Sequence, residues 1–391
     1  MNRQFTELDN DEAERERMML DSVNRWLERD VEPQAMKLEH GDIYPSEIVE
    51  QMKEMGLFGA IIPEEFGGLG LRPSTYAKII ERISTTWMSL AGIINSHLIM
   101  SYIVMKNGTE KQKEALLPRF ATGELRGGLA LTEPDCGTDL QAIRMTAKRD
   151  GDDYVINGTK TWISNGIEGS CFALLVKTDP KTDPRHKGMS MFIAEKGEGF
   201  TVSRKLEKLG YKGIDSAELV FDNYRIPADR LIGETEGRGM ICAISGLELG
   251  RVNVAARGVG IAQAALNEAT KYSQQRRTFG KQIHEHQAIA LKLGDMVTRV
   301  TASRLLVENA AAALDRGERC DFEAGMAKLF ATESALKNAE EALRIHGGYG
   351  YSKEFMVERL YRDAPLLCIG EGTNEIQRLI IAKRHIEQNP L

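Results

Sequence analysis

Glu371 stands between Gly370 and Gly372 in the run IGEGTNEIQ, where its carboxylate can swing without meeting a neighbouring side chain and so can accept a proton. Thr373 reads as the N-cap of a last helix over 376–386, whose partial positive end favours the ionised carboxylate. A second carboxylate, Glu248 in GLELGRV, lies three residues before Arg251, the spacing of a helical ion pair. Two hydroxyls and a glycine lie in LTEPDCGTD (131–139), which by itself reads as a polar β turn; Trp162 of TWISNG (161–166) by itself reads as core. Arg276 in RRTFGKQIHEHQ (276–287) suits either a solvated helix end or a guanidinium fork for a buried pyrophosphate.

Other chemistries find little support. The chain has no GxxxxGK[ST] loop, and GVGIAQ (258–263) lacks the third glycine of a dinucleotide fingerprint and sits in an Ala-rich helix. His284 and His286 are two apart, so on a helix they diverge, and no metal site is expected. Five cysteines, at 136, 171, 242, 320 and 368, are too widely spaced for metal knuckles or a disulfide framework, and the chain reads as reduced and cytoplasmic. A net charge of −6 gives no basic field for nucleic acid or anionic lipid. The acidic opening, MNRQFTELDNDEAERERMML, has no pattern of a leader.

Three stretches of different texture must position these groups. Residues 1–124 read as a helical domain, with a Pro63, Gly67, Gly68, Gly70 loop before a long helix. Within that helix, 83–105 carries no charged side chain, but eight polar residues interrupt it, so it is expected to be buried among helices and not to span a membrane. Residues 125–236 read as a small β domain, a barrel or a sandwich, of six short strands: LALTEP, DYVINGTKTWIS, CFALLVK, SMFIAEK, GFTVSRK and AELVFDN. Asp150-Gly151 and Asn157-Gly158 are expected to close hairpins, and KTDPKTDPRHKG (177–188) to be a polar hairpin loop. Residues 237–391 read as a C-terminal helical bundle, in which Phe322, Met326, Leu329, Phe330, Leu336, Ala339 and Leu343 form one helical face and Gly317 and Gly347 cap helices. The fold class is mainly α with a central β domain.

Four segments taken together, LTEPDCGTD, TWISNG, RRTFGKQIHEHQ and IHGGYGYSKEFMVERLYRDAPLLCIGEGTNEIQR (345–378), resemble the acyl-CoA dehydrogenase family, collinearly and over nearly the whole chain. The resemblance implies a fold of helical domain, β barrel and four-helix bundle, with non-covalent FAD. Leu131, Thr132, Gly137 and Thr138 match the family's flavin loop, Thr138 reaching towards the CoA chain as well. Trp162 and Ser164 match its WIS motif, with the ring beside the isoalloxazine and the hydroxyl near flavin N5. Arg276, Phe279 and Gln287 match residues that reach the pyrophosphate and adenosine half from a neighbouring subunit, and Gly347 and Gly348 let the backbone approach the same cofactor. Thr373 and Glu375 fall at family cofactor positions. Arg344 stands where many members carry Gln, and either adds charge near the pyrophosphate or faces solvent.

By the same resemblance, Glu371 is the α-proton base, because the alternative position, on the helix before Arg251, is Gly250. Gly250, Glu248, Arg251, Gly370 and Gly372 then belong to the acyl-CoA site, with Ala91 and Asn95 on the helix that floors the acyl pocket. Substrate burial is expected to raise the basicity of Glu371 more than the helix end lowers it. The implied reaction is α,β-dehydrogenation of an acyl-CoA, with electrons passed to an electron-transfer flavoprotein by a homo-oligomer, a tetramer by resemblance. The alternatives are an oxidase, reductase or desulfinase on the same scaffold, or a non-catalytic scaffold relative.

Overall fold

The computed structural model describes residues 10–390; residues 1–9, on which the expectation of no leader partly rests, lie outside it. Helix α1 (Asn10–Trp26) passes through a π turn at Leu27–Val31 into α2 (Glu32–His40), and α3 (Ser46–Glu54) follows. The Pro63–Gly70 loop leads to α4 (Pro73–Asn107), with proline in its first turn where no amide partner is needed, and then to α5 (Glu110–Ala121), closed by a Thr109–Gln112 capping box. Although α4 is long and apolar enough to cross a membrane, it is packed within the helical core.

One break in α4 matters for the site. Trp87 is non-helical (φ −157°, ψ 104°) and wholly buried, its indole donating to Glu39 Oε2 at 2.8 Å. Glu39, itself fully buried on α2, also accepts from Lys212 N and Gly213 N at 2.9 and 3.1 Å, so one carboxylate ties α2, α4 and a loop of the β region together. The helix beyond the break carries Gly92, Asn95 and Ile99 on one side at helical spacing.

The β region is one seven-stranded sheet: β1 (Gly127–Ala130), β2 (Thr146–Asp150), β3 (Asp153–Ser164), β4 (Cys171–Lys177), β5 (Met189–Glu195), β6 (Phe200–Lys205) and β7 (Ser216–Pro227). Its order is β1-β4-β2-β3-β7-β6, with β5 paired to β4. The unexpected strand is β2, whose TAKRD sequence is too charged to alternate visibly, and the expected LALTEP strand ends at Ala130. Asp150-Gly151 does close the β2–β3 hairpin, and residues 178–188 do connect antiparallel β4 and β5. Asn157-Gly158 closes nothing: it lies inside β3, at a register shift against β7 where Gly158 takes φ 146°.

Helix α6 (Gly239–Gln275) begins the C-terminal bundle, followed by the short hairpin β8 (Arg277–Thr278) and β9 (Lys281–Gln282), α7 (Gln287–Asp315), α8 (Asp321–His346), α9 (Val357–Ile369) and α10 (Asn374–Gln388). Gly317 and Gly347 take positive φ at the ends of α7 and α8, as capping requires. Of the apolar face expected on α8, Ala339 alone is fully buried. Ala324, Ala327, Ala331, Ala335, Ala339 and Ala342 are fully buried against the neighbouring helices, whereas Phe330 is exposed and Phe322, Met326, Leu329, Leu336 and Leu343 are half-buried. Small residues bring α6 and α8 so close that a Cβ on Gly258 would stand 2.9 Å from the Ala331 backbone.

Candidate active site

The loop after β1 is held from beneath by a buried ion pair. Lys160, fully buried on β3, donates to Leu131 O at 2.9 Å and Glu133 Oε1 at 2.8 Å, and Glu133 also accepts from Arg144 N and Met145 N. Burial lowers the Lys160 pKa to about 8 against the opposing pull of Glu133. Removing either partner would strand a buried charge, which is the costly way to break such a pair. Upon this base Leu131 is buried, Thr132 half-buried, and Gly137 and Thr138 exposed; Thr161 N donates to Thr132 O at 2.9 Å, joining loop and strand.

Trp162 is not core. A second register shift between β3 and β7, at Lys160–Ile163, puts it at φ 59° and leaves it 58% exposed, with Ser164 two residues on and half-buried at the strand end. Beyond it, Asn165 donates to Ile93 O and Gly127 O and thereby fixes this strand end against α4.

Glu371 sits in the link between α9 and α10, at φ 54° with Gly372 at φ 88°. Thr373 is the N-cap of α10, which begins at Asn374, and accepts from Ile376 N. The link is wrapped around an ammonium: Lys328 of α8 donates to Cys368 O (3.3 Å), Gly372 O (3.0 Å) and Asn374 Oδ1 (2.8 Å), and burial lowers its pKa to about 8. Glu371 Oε1 accepts from Asn95 Nδ2 at 2.6 Å and lies 3.6 Å from Arg257 Nη2, whereas Oε2 is enclosed and without a partner. Burial raises the carboxyl pKa, opposed in turn by Arg257, the Asn95 hydrogen bond, Lys328 and Arg251. The chain itself therefore supplies the desolvation that the sequence reading assigned to substrate.

Gly250 faces this carboxylate, since a Cβ there would overlap Oε2 of Glu371 and approach Ile99 Cδ1 at 2.8 Å. Arg251 is buried and Glu248 half-buried. The expected ion pair between them is not formed: the charges are felt only through space, and Arg251 Nε has no partner. Gly370 caps α9 and is half-buried, and Glu375 is exposed in the first turn of α10.

A second group lies elsewhere. Arg276, exposed at the end of α6, lines an open cleft of about 740 Å³ with Phe279, Gly347, Gly348, Tyr272 and His346. Phe279, at the tip of the β8–β9 hairpin, is 97% exposed. Gln287, the first residue of α7, is exposed and outside the lining, as is Arg344, which pairs with Glu340 at 3.4 Å on the solvent side of α8. His284 and His286 bind neighbouring backbone and Thr278, and no metal-type cluster occurs among the described residues. This cleft shares no lining residue with the Glu371 cluster.

The donors fit a flavin dinucleotide. Two exposed aromatic rings, Trp162 and Phe279, offer faces for planar ring systems, Arg276 offers a fork for a pyrophosphate, and the Thr132 backbone is bonded to Thr161 N, one residue before the first ring. Sequence reasoning missed the two lysine supports and the Asn95–Arg257 contacts. The signals were lone charges in apolar settings: Arg257 in VAARGVG, Lys328 in GMAKLF and Lys160 between β residues.

Residues 13–124, 128–224 and 237–386 match the N-terminal, middle and C-terminal domains of acyl-CoA dehydrogenase. An acyl-CoA dehydrogenase of Bacillus subtilis is 41% identical over 94% of this chain and 96% of its own. A 3-(aryl)acrylate reductase of Clostridium sporogenes is 40% identical over 91% of this chain and 94% of its own. The solved butyryl-CoA dehydrogenase of Megasphaera elsdenii superposes with a TM-score of 0.93 at 33% identity, covering 98% of this chain and all of that one.

Proposed function

Since the chain belongs to the acyl-CoA dehydrogenase family of flavin-dependent oxidoreductases, we propose that it oxidises a saturated acyl-CoA thioester to the trans-2-enoyl-CoA with FAD as its resident cofactor. The observation that carries this reading is the enclosed, unpartnered Oε2 of Glu371, a carboxylate oxygen with raised basicity over a helix stripped to glycine. Glu371 takes the α proton, so that the electron pair of the α C–H bond becomes the new π bond as the β hydrogen leaves. When bound, FAD supplies the acceptor for that hydrogen and its two electrons. The amide of residue 371 steadies the thioester oxygen.

Leu131, Thr132, Gly137, Thr138, Trp162 and Ser164 hold the flavin half, with Thr373 and Glu375 beside it. Arg276, Phe279, Gln287, Gly347 and Gly348 hold the adenosine and pyrophosphate half of a neighbour's cofactor, because the two groups share no lining within one chain. That arrangement calls for a homo-oligomer, a tetramer on family resemblance. Arg344, exposed on α8 and paired with Glu340, either adds charge near that pyrophosphate or faces solvent. Arg251, Glu248 and Thr138 lie along the CoA arm, Gly250 leaves room for the Glu371 carboxylate that meets the thioester's α carbon, and Gly370 and Gly372 leave room around the thioester. The electron acceptor is an electron-transfer flavoprotein. Bleaching of the visible flavin band across a panel of acyl-CoAs, followed by reduction of an electron-transfer flavoprotein against oxygen uptake, tests both parts; no bleaching with any saturated acyl-CoA overturns the reading.

A second reading, reduction of an enoyl thioester, is favoured by one observation. A carboxyl with raised pKa can donate a proton to Cα as well as accept one. Mixing chemically reduced enzyme with enoyl-CoA and following the return of the flavin band separates the two directions.

A further inference from the structure

Glu371 is solvated by the protein on one side only. Asn95 of α4 and Arg257 of α6 both address Oε1, at 2.6 and 3.6 Å, and neither touches Oε2. Arg257 is itself fixed. Its Nη1 donates to Tyr211 Oη at 3.0 Å, its guanidinium lies over the Tyr211 ring, and the tyrosine tip occupies a notch where a Cβ on Gly92 would overlap Oη. Tyr211 in turn is pinned, since its backbone N donates to Asp363 Oδ1 at 2.6 Å. Tyr76, hydrogen-bonded by Asn253, closes the same buried cluster.

We propose that Asn95 and Arg257 are positioning residues that clamp Glu371 by Oε1 and thereby reserve Oε2 as the atom that accepts the α proton. This rests on Glu371 being the base. An oxygen that accepts a charge-assisted hydrogen bond and faces a guanidinium has its lone pairs engaged, so the proton affinity of the carboxylate is concentrated on the other oxygen. The clamp also removes a rotation that would otherwise carry Oε2 away from the space over Gly250, and near-attack geometry of this kind is worth orders of magnitude in rate. The groups that set the charge on Glu371 are Arg257 and Arg251 of α6, Lys328 of α8, Asn95 and Tyr76 of α4, Tyr211 of the β6–β7 connection, and Glu248 acting on Arg251.

The test uses FAD-loaded enzyme and a 3-thia acyl-CoA, whose α proton exchanges with D₂O but which cannot be desaturated, so that NMR reads proton transfer without flavin reduction. In Asn95→Ala and Arg257→Gln the acid limb of the exchange-pH profile should move to higher pH, by about 1 unit or more for the guanidinium. The plateau rate should fall roughly tenfold or more. Arg257→Lys should restore most of the pH shift and little of the plateau. Tyr211→Phe, which removes one hydroxyl, should give a smaller shift in the same direction and serves if Arg257→Gln does not fold. Folded, flavin-bound variants whose profiles superpose on the wild type overturn the clamp. Exchange that survives in Glu371→Gln overturns the base assignment instead, so the two failures are told apart.

Discussion

Gly250 and Glu371 converge on one point in space from two different elements: the position of a Cβ on α6 coincides with the Oε2 that arrives from the α9–α10 link. A base carried at 250 and a base carried at 371 would therefore compete for the same volume. Gly250→Ala alone should displace the carboxylate and lower the rate of flavin reduction at least tenfold, with FAD content unchanged. In Glu371→Gly combined with Gly250→Glu, a carboxylate returns from the helix side, and partial recovery with a changed acyl preference is expected. Stopped-flow bleaching with short and branched acyl-CoAs reads both effects.

Glu371→Gln keeps the shape of the side chain and removes its basicity. Flavin and acyl-CoA binding should persist, while bleaching by saturated acyl-CoA falls by ~10² to 10⁴, the usual consequence of losing a general base. Near wild-type bleaching in a yellow, folded variant would redirect suspicion to Glu248.

Lys328→Met leaves the Cys368 and Gly372 carbonyls and the Asn374 side chain without their shared donor. The cost should be about 1–3 kcal/mol for acceptors left unsatisfied. Flavin reduction should slow more than the midpoint of denaturation falls, because the lost contacts surround residue 371. Equal effects on rate and stability would mean that the lysine serves packing alone.

Arg276→Ala should weaken FAD by about 10- to 150-fold, the equivalent of ~1.5 to 3 kcal/mol for a charged hydrogen bond. If the guanidinium acts on a neighbour's cofactor, the loss should deepen on dilution as subunits separate. Fluorescence of released flavin against protein concentration measures it, and full occupancy in dilute solution would sink the interface role.

Burial and the nearby Glu39 push the Asp363 carboxyl up to about 7. A folded-state pKa above the ~3.9 of the unfolded chain means that the folded form holds the proton more tightly. Its contribution is complete below about 4 and is lost as pH rises through 7. Asp363→Asn should therefore flatten the dependence of the urea midpoint on pH over that window, while the amide oxygen keeps the Tyr211 N–H bond. Parallel wild-type and variant curves would show that other groups control the slope.

Contrasts of period and turn chemistry made the layout readable: the helical stretches, the polar β4–β5 loop, the glycine caps at 317 and 347 and the Thr373 N-cap all follow from local rules. What escaped was tertiary. Strand β2 buries only Ala147 and is otherwise polar, and its pairing with β3 comes from the neighbouring strand. Asn157-Gly158 carries a hairpin signature but makes a bulge, because β3 continues past it against β7. The exposure of Trp162 and of the large α8 side chains is set by a register shift and by a tightly packed alanine face, neither of which is a local property. The glycine flanks of Glu371 do mark the link between α9 and α10 in which it sits. The partners of Oε1 are not so marked, since Asn95 and Arg257 are 276 and 114 residues away and meet it only through the break in α4 and the packing of α6.

The alanine-lined contact between α6 and α8 limits how this chain could be remodelled. Backbone approaches backbone there at Gly258, and α8 carries the lysine that holds the link bearing Glu371, so added volume along that contact would be transmitted to the carboxylate. Diversification of acyl preference would then be confined to the opposite wall. Ile99 of α4 packs beside Gly250 without holding the carboxylate, so a library built there changes the volume next to Oε2 and leaves the Asn95 and Arg257 contacts to Oε1 in place.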